Sequence, residues 1–145
     1  MDNTNILNWL RKFLLAMALL LFAGTVVELS FQEHTGEPQQ MIPFILSGLG
    51  IVAAVLVLAR PSGGTLIGLR GAMLLAILGS ALGLFIHLSA NLEFAREIQP
   101  NATSAQLLTE TLHGAAPLLA PGMLAVAALL ALAATLYHPA LGGRK

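Results

Sequence analysis

Four stretches without a single charge dominate this chain: residues 13–27, 41–59, 71–86 and 114–137. A hydrocarbon core of about 30 Å is crossed by roughly 20 helical residues. The second and fourth stretches reach that length directly. The first and third reach it when extended to Phe31 and Ala90, each then taking in one polar residue near its end. Inside lipid every backbone N–H and C=O must be bonded within the spanning structure, which leaves helices or a closed barrel. The Ala- and Leu-rich runs show no period of two, and four strands do not close a barrel. The expectation is an all-α fold: a four-helix transmembrane bundle in one domain, with spans at about 10–31, 41–59, 69–92 and 114–137.

Composition agrees. Of the 145 residues, 57% are hydrophobic and only 10% charged, where a soluble domain carries about a quarter. Seven basic and seven acidic side chains are too few to solvate a globule of this size. The balance excludes a disordered chain and a nucleic-acid binder with a basic face. With no cysteine, disulfides, thiolate metal ligands, iron–sulfur clusters and cysteine nucleophiles are all excluded.

Charge sets the direction. Arg11, Lys12, Arg60, Arg70, Arg144 and Lys145 fall on one side of a four-span topology, with Arg96 alone on the other. Asp2 shares the basic side, whereas Glu28, Glu33, Glu37, Glu93, Glu97 and Glu110 lie opposite. The positive-inside rule then puts both termini in the cytoplasm, and in a bacterial inner membrane the acidic loops face the periplasm. Arg11 and Lys12 before an apolar run also resemble the start of a signal peptide, but bulky Leu20–Phe22 stands where a cleavage site needs small residues.

The outer loops carry local signals. Thr35-Gly36-Glu37-Pro38 reads as a turn, and Thr103-Ser104-Ala105-Gln106 as a capping box. Leu107, Leu108, Thr111 and Leu112 follow at helical spacing, predicting a short amphipathic surface helix before the fourth span. On the other side, Pro61-Ser62-Gly63-Gly64 reads as a flexible turn.

Lipid tails give helices no hydrophobic reason to associate, so small residues and interhelical hydrogen bonds must join them. The third span carries a ridge at i,i+4 spacing: Gly79, Gly83, His87, Asn91. The second offers Gly50 and Ala54, the fourth Ala127 and Ala131, and the first sets Gly24 one turn before Glu28. Two ridges thus lead from glycine to a polar residue.

Depth arithmetic brings Glu28 and His87 together. They lie 15 and 16 residues along outward-running helices from Phe13 and Gly71, about one turn beneath the outer interface. Ionisable groups there face the bundle interior and pair, or mark a site. His34, Asn91, Glu93 and His113 fall near the same rim. Imidazole with carboxylate suits a divalent transition metal, and an acidic rim concentrates cations. The plainer reading makes Glu28 and His87 helix–helix glue, and Glu33, Glu37, Glu97 and Glu110 a solvated rim. The Glu-x-x-His pair of di-iron bundles is absent, as are Walker, dinucleotide-binding and zinc-protease motifs. No catalytic constellation emerges, so an enzyme is the least supported class. Proline at 117 and 121 removes amide donors from the start of the fourth span: the plainer reading is a helix that begins near Pro117 and bends at Pro121, whereas a helix beginning before His113 would free carbonyls near the acidic rim.

Three segments are similar to those of small four-helix bacterial membrane proteins to which no activity is assigned. They are Glu28-Leu29 through Glu37 with Pro43, His87 through Phe94, and Gly114 through Gly122, followed by Tyr137-His138-Pro139-Ala140-Leu141. The resemblance implies an inner-membrane location and no mechanism. From the residues, the leading expectation is a cation or small ligand bound at the outer His/Glu cluster. The competing one is an accessory subunit whose partner is a second copy or a larger membrane protein.

Overall fold

The computed structural model of the protein describes residues 3–33 and 35–142. Five α-helices follow one another: α1 (Asn3–Phe31), α2 (Ile42–Ala59), α3 (Gly63–Ile98), α4 (Ser104–His113) and α5 (Leu119–Ala134). Among the described residues there is no strand. A 3-10 turn, Pro38–Met41, leads into α2, and another, Pro139–Leu141, follows α5. Three segments are long and apolar enough to cross a membrane: Asn3–Phe31, Pro38–Ala59 and Gly63–Ile98. At 16 residues α5 is shorter, about 24 Å against the roughly 30 Å of a hydrocarbon core.

The four apolar helices pack as neighbours around a square: α1 on α2, α2 on α3, α3 on α5, and α5 back on α1. The interior is made of small side chains. Ala18, Ala54, Ala76, Ala127, Ala128 and Ala131 are fully buried, around Phe22, Leu66, Leu69 and Met73. Large apolar side chains point outward instead, with Leu78 66% and Phe85 67% exposed. That inside-out distribution follows when lipid surrounds the helices and only close backbone approach holds them.

Several glycines make the approach. A Cβ on Gly50 would come within 2.8 Å of the Phe22 ring, and one on Gly79 would overlap the Leu46 side chain. At Gly83 it would stand 3.1 Å from Pro121. Gly24 differs: it is exposed, and a Cβ there would meet nothing within 4 Å. Gly24 therefore makes no close helix–helix approach among the described residues.

Several boundaries depart from the sequence expectation: α1 begins at Asn3 rather than near residue 10, α3 runs on to Ile98 and α5 ends at Ala134, and two helix starts move for reasons visible in the structure. The third helix, expected at 69–92, begins at Gly63 because Ser62 caps it: the Ser62 hydroxyl accepts from Thr65 N–H, and Thr65 reciprocates toward Ser62 N–H. The glycine pair read as a turn is the helix's first turn. The fourth, expected at 114–137, starts at Leu119. Pro117 stands outside it, and Pro121 falls in its first turn, where a missing N–H leaves no intrahelical bond unmade. The surface helix is α4, with the Thr103–Gln106 capping box formed as the sequence indicates. It packs on the C-terminal part of α3, with Thr111 buried.

Candidate functional site

The site grows from the shortness of α5. Between His113 and Leu119 the chain runs without helix, so its backbone groups need partners from elsewhere. They come from one face of α3. Asn91, 3% exposed, donates from Nδ2 to Thr111 O (3.1 Å) and Ala116 O (3.0 Å), and its Oδ1 accepts from Ala116 N–H (2.9 Å). Thr111 O is one of the carbonyls left over at the end of α4. Gly114 closes this clamp, since a Cβ there would overlap the Asn91 side chain.

One turn earlier, His87 Nδ1 lies 2.8 Å from Pro117 O. A helix would pair that carbonyl with the N–H of residue 121, which is proline and has none. Because a carbonyl only accepts, Nδ1 must carry the proton, and Nε2 of the neutral ring presents a lone pair. Two turns earlier again, Ser80 Oγ donates to Pro121 O at 2.5 Å. Ser80, His87 and Asn91 thus zip α3 to residues 111–121.

Beside this zipper lies a cleft of about 310 Å³ between the C-terminal parts of α1 and α3 and the starts of α2 and α5. Glu28 and His87 both line it, with Thr25, Gln32, Gln39, Gln40 and Ser80 as its other polar groups. Leu46, Leu82, Ile86 and Leu124 make its apolar walls. Two causes produce it: glycine at 79 and 83 adds no side chain, and α5 begins too late to fill the corner.

Its hydrogen-bonding character is lopsided. The Thr25 hydroxyl donates to Leu21 O (2.9 Å) and that of Ser80 to Pro121 O, which leaves both oxygens as acceptors. The Nδ1–H of His87 is engaged, leaving Nε2. Glu28, exposed on α1, accepts from Gln32 Nε2 at 3.3 Å and keeps further acceptor capacity. Gln40 Oε1 already accepts from Glu37 N–H (3.1 Å), so the Gln40 amide nitrogen supplies donors, while the amides of Gln32 and Gln39 offer both kinds of group. The cleft therefore offers mainly acceptors and one full negative charge.

The structure brings Glu28 and His87 to one cleft and sets Asn91 in the neighbouring clamp. It does not bring Glu93 or His113 there: Glu93 is exposed near the C-terminal end of α3, and His113 donates from Nδ1 to Thr109 O (2.9 Å) within α4. His34 lies outside the described residues. Among those described, no three His, Asp or Glu side chains are grouped to hold a metal ion. Sequence reasoning missed Thr25, Ser80, Gln39 and Gln40. Ser80 was detectable, lying next to Gly79 in the small-residue row; the glutamines depend on the Pro38–Met41 turn.

Comparison with known protein families, curated proteins and solved structures finds no match.

Proposed function

We propose that this chain is a multi-pass inner-membrane protein, a four-helix transmembrane bundle with both termini in the cytoplasm. Its outer cleft binds a small amphiphile with a cationic amine head. The acceptor-dominated wall around Glu28 and His87 carries the reading. A protonated amine would lie against the Glu28 carboxylate and His87 Nε2, with its apolar body along Leu46, Leu82, Ile86 and Leu124. A volume near 300 Å³ sits at the small end of ligand sites, which favours short, compact molecules. The acidic outer loops raise the local concentration of such cations.

A photoreactive octylamine bearing a diazirine, presented to the protein in lipid nanodiscs, tests it. Labelling should concentrate on residues 25–46 and 79–87. In Glu28→Gln it should weaken about tenfold, the scale of one charge-assisted hydrogen bond. Glu28 is exposed, so the variant should keep the parent's melting temperature. Equal labelling by the neutral octanamide analogue, or by the variant, sinks the proposal.

A second reading has its own support. Because Ser80, His87 and Asn91 all bind backbone of residues 111–121, the polar groups of α3 act as internal struts. The chain is then an accessory subunit whose exposed apolar faces meet a second copy or a larger membrane protein. Co-purification with one membrane protein, and no amine labelling, is its signature.

A further inference from the structure

A second cleft, of about 260 Å³, lies at the opposite end of the molecule, where α1, the end of α2 and the end of α5 meet. Asn8, Arg11, Lys12 and His138 line it above Leu15, Val57 and Leu58, and none of its lining residues is acidic. Its hydrogen-bonding character is the reverse of the outer cleft's. Asn8 Oδ1 accepts from Arg11 Nη1 (3.1 Å), which leaves the Asn8 amide as a donor. His138 Nδ1 accepts from Ala140 N–H (3.2 Å), so the neutral ring carries its proton on Nε2 and donates there.

The carbonyls that follow the end of α5, which could repel an anion, are already engaged. Arg11 Nη2 donates to Tyr137 O (2.9 Å) and Leu136 O (3.4 Å), and Arg70 Nη2 donates to Thr135 O (3.2 Å). The Thr135 hydroxyl accepts from Arg70 Nε (2.9 Å) and donates to Leu132 O (2.8 Å). Lys12 has no partner among the described residues.

We propose that this inner cleft binds the phosphodiester of an anionic phospholipid. The phosphate would be held by Lys12, the Asn8 amide, His138 Nε2–H and the remaining N–H groups of Arg11, and the acyl chains would run along the apolar floor. Positive charge and donors recognise phosphate oxygen. The floor of Leu15, Val57 and Leu58 distinguishes a lipid from free phosphate. Basic residues between transmembrane helices on the cytoplasmic side meet the leaflet that carries anionic headgroups.

The full chain in phosphatidylcholine nanodiscs containing a minor fraction of phosphatidylglycerol provides the test, with retained lipid counted by native mass spectrometry. One phosphatidylglycerol should be retained in preference to phosphatidylcholine. Lys12→Glu and Asn8→Asp should each lower that preference about fivefold or more, and Lys12→Arg should keep it. Asn8→Asp preserves the oxygen that Arg11 binds, and Lys12 is exposed, so melting temperatures should match the parent's. Equal retention of both lipids, or a preference unchanged in both weakened variants, overturns the proposal. Displacement of the lipid by millimolar inorganic phosphate would overturn it too, assigning the cleft to a soluble anion.

Discussion

Asn91 shows how one amide can replace a turn of helix. All three of its hydrogen bonds go to backbone, two of them to the N–H and C=O of Ala116. Deleting the amide leaves one buried and two part-buried backbone groups unpaired, at up to about 1–3 kcal/mol for each group left unsatisfied. Asn91→Ala should lower unfolding stability by several kcal/mol in a denaturant titration in detergent. Gly114→Ala should destabilise by about 1–3 kcal/mol through overpacking against the same side chain. His87 makes a sharper prediction. Nitrogen NMR of the neutral ring should find the proton on Nδ1, and a dominant Nε2–H tautomer would contradict the Pro117 contact. At this scale the sequence was informative about direction and silent about partner. The Gly79, Gly83, His87, Asn91 ridge indicated that His87 and Asn91 turn inward. What they meet depends on where α5 begins, and that is settled by Pro117 and Pro121 against the α3 face rather than by any local pattern.

Among elements, α5 is the dependent one. Its first turn has no side-chain cap of its own, its upstream segment hangs on α3, and the carbonyls just past its end, at Thr135 and Tyr137, are held by Arg70 of α3 and Arg11 of α1. Cations at a helix C-terminus also oppose the negative end of its dipole. Arg70→Ala should therefore fray α5 from its end, seen as faster amide exchange at residues 132–136 while α2 stays protected. By contrast α4 carries its own start signal, and Thr103→Ala should cost about 1 kcal/mol, confined to that helix. The difference explains what could be read in advance. The Thr103–Gln106 box is a contiguous motif and was legible; the Ser62–Thr65 box was hidden because the glycines between its ends looked like a turn. Arg11 and Arg70 were legible only as topological charge, since their targets lie more than 60 residues away in the sequence.

Across the whole molecule, two clefts of opposite hydrogen-bonding character occupy the two ends, and the charge partition runs the same way. With no native cysteine, single substitutions report the orientation directly. Glu110→Cys, exposed on α4, should react with a membrane-impermeant maleimide on intact cells. Gly142→Cys should react only after permeabilisation. The end that carries His138 also has a pH signature. Burial, and then the nearby Arg11 charge, hold the His138 pKa below its ordinary value of 6.5. The unfolded chain therefore takes up that proton first as the pH falls. Folding stability from this group is intact above about pH 6.5 and is lost progressively below it, down to the lower folded pKa. The melting temperature should fall on acidification from pH 7 to 5, and His138→Gln should flatten that slope.

The order in which the chain leaves the ribosome gives the short fifth helix a further consequence. The segment holding α5 has about 24 Å of helix, two prolines near its start, and backbone groups that only an already placed α3 can satisfy. It is poorly suited to entering a bilayer alone. Its biogenesis should therefore be templated: α1 and α3, made earlier, form the seat into which it docks. A chain altered in that seat would be expected to insert its first three helices normally and leave the last stranded, a defect visible during synthesis rather than in the finished protein.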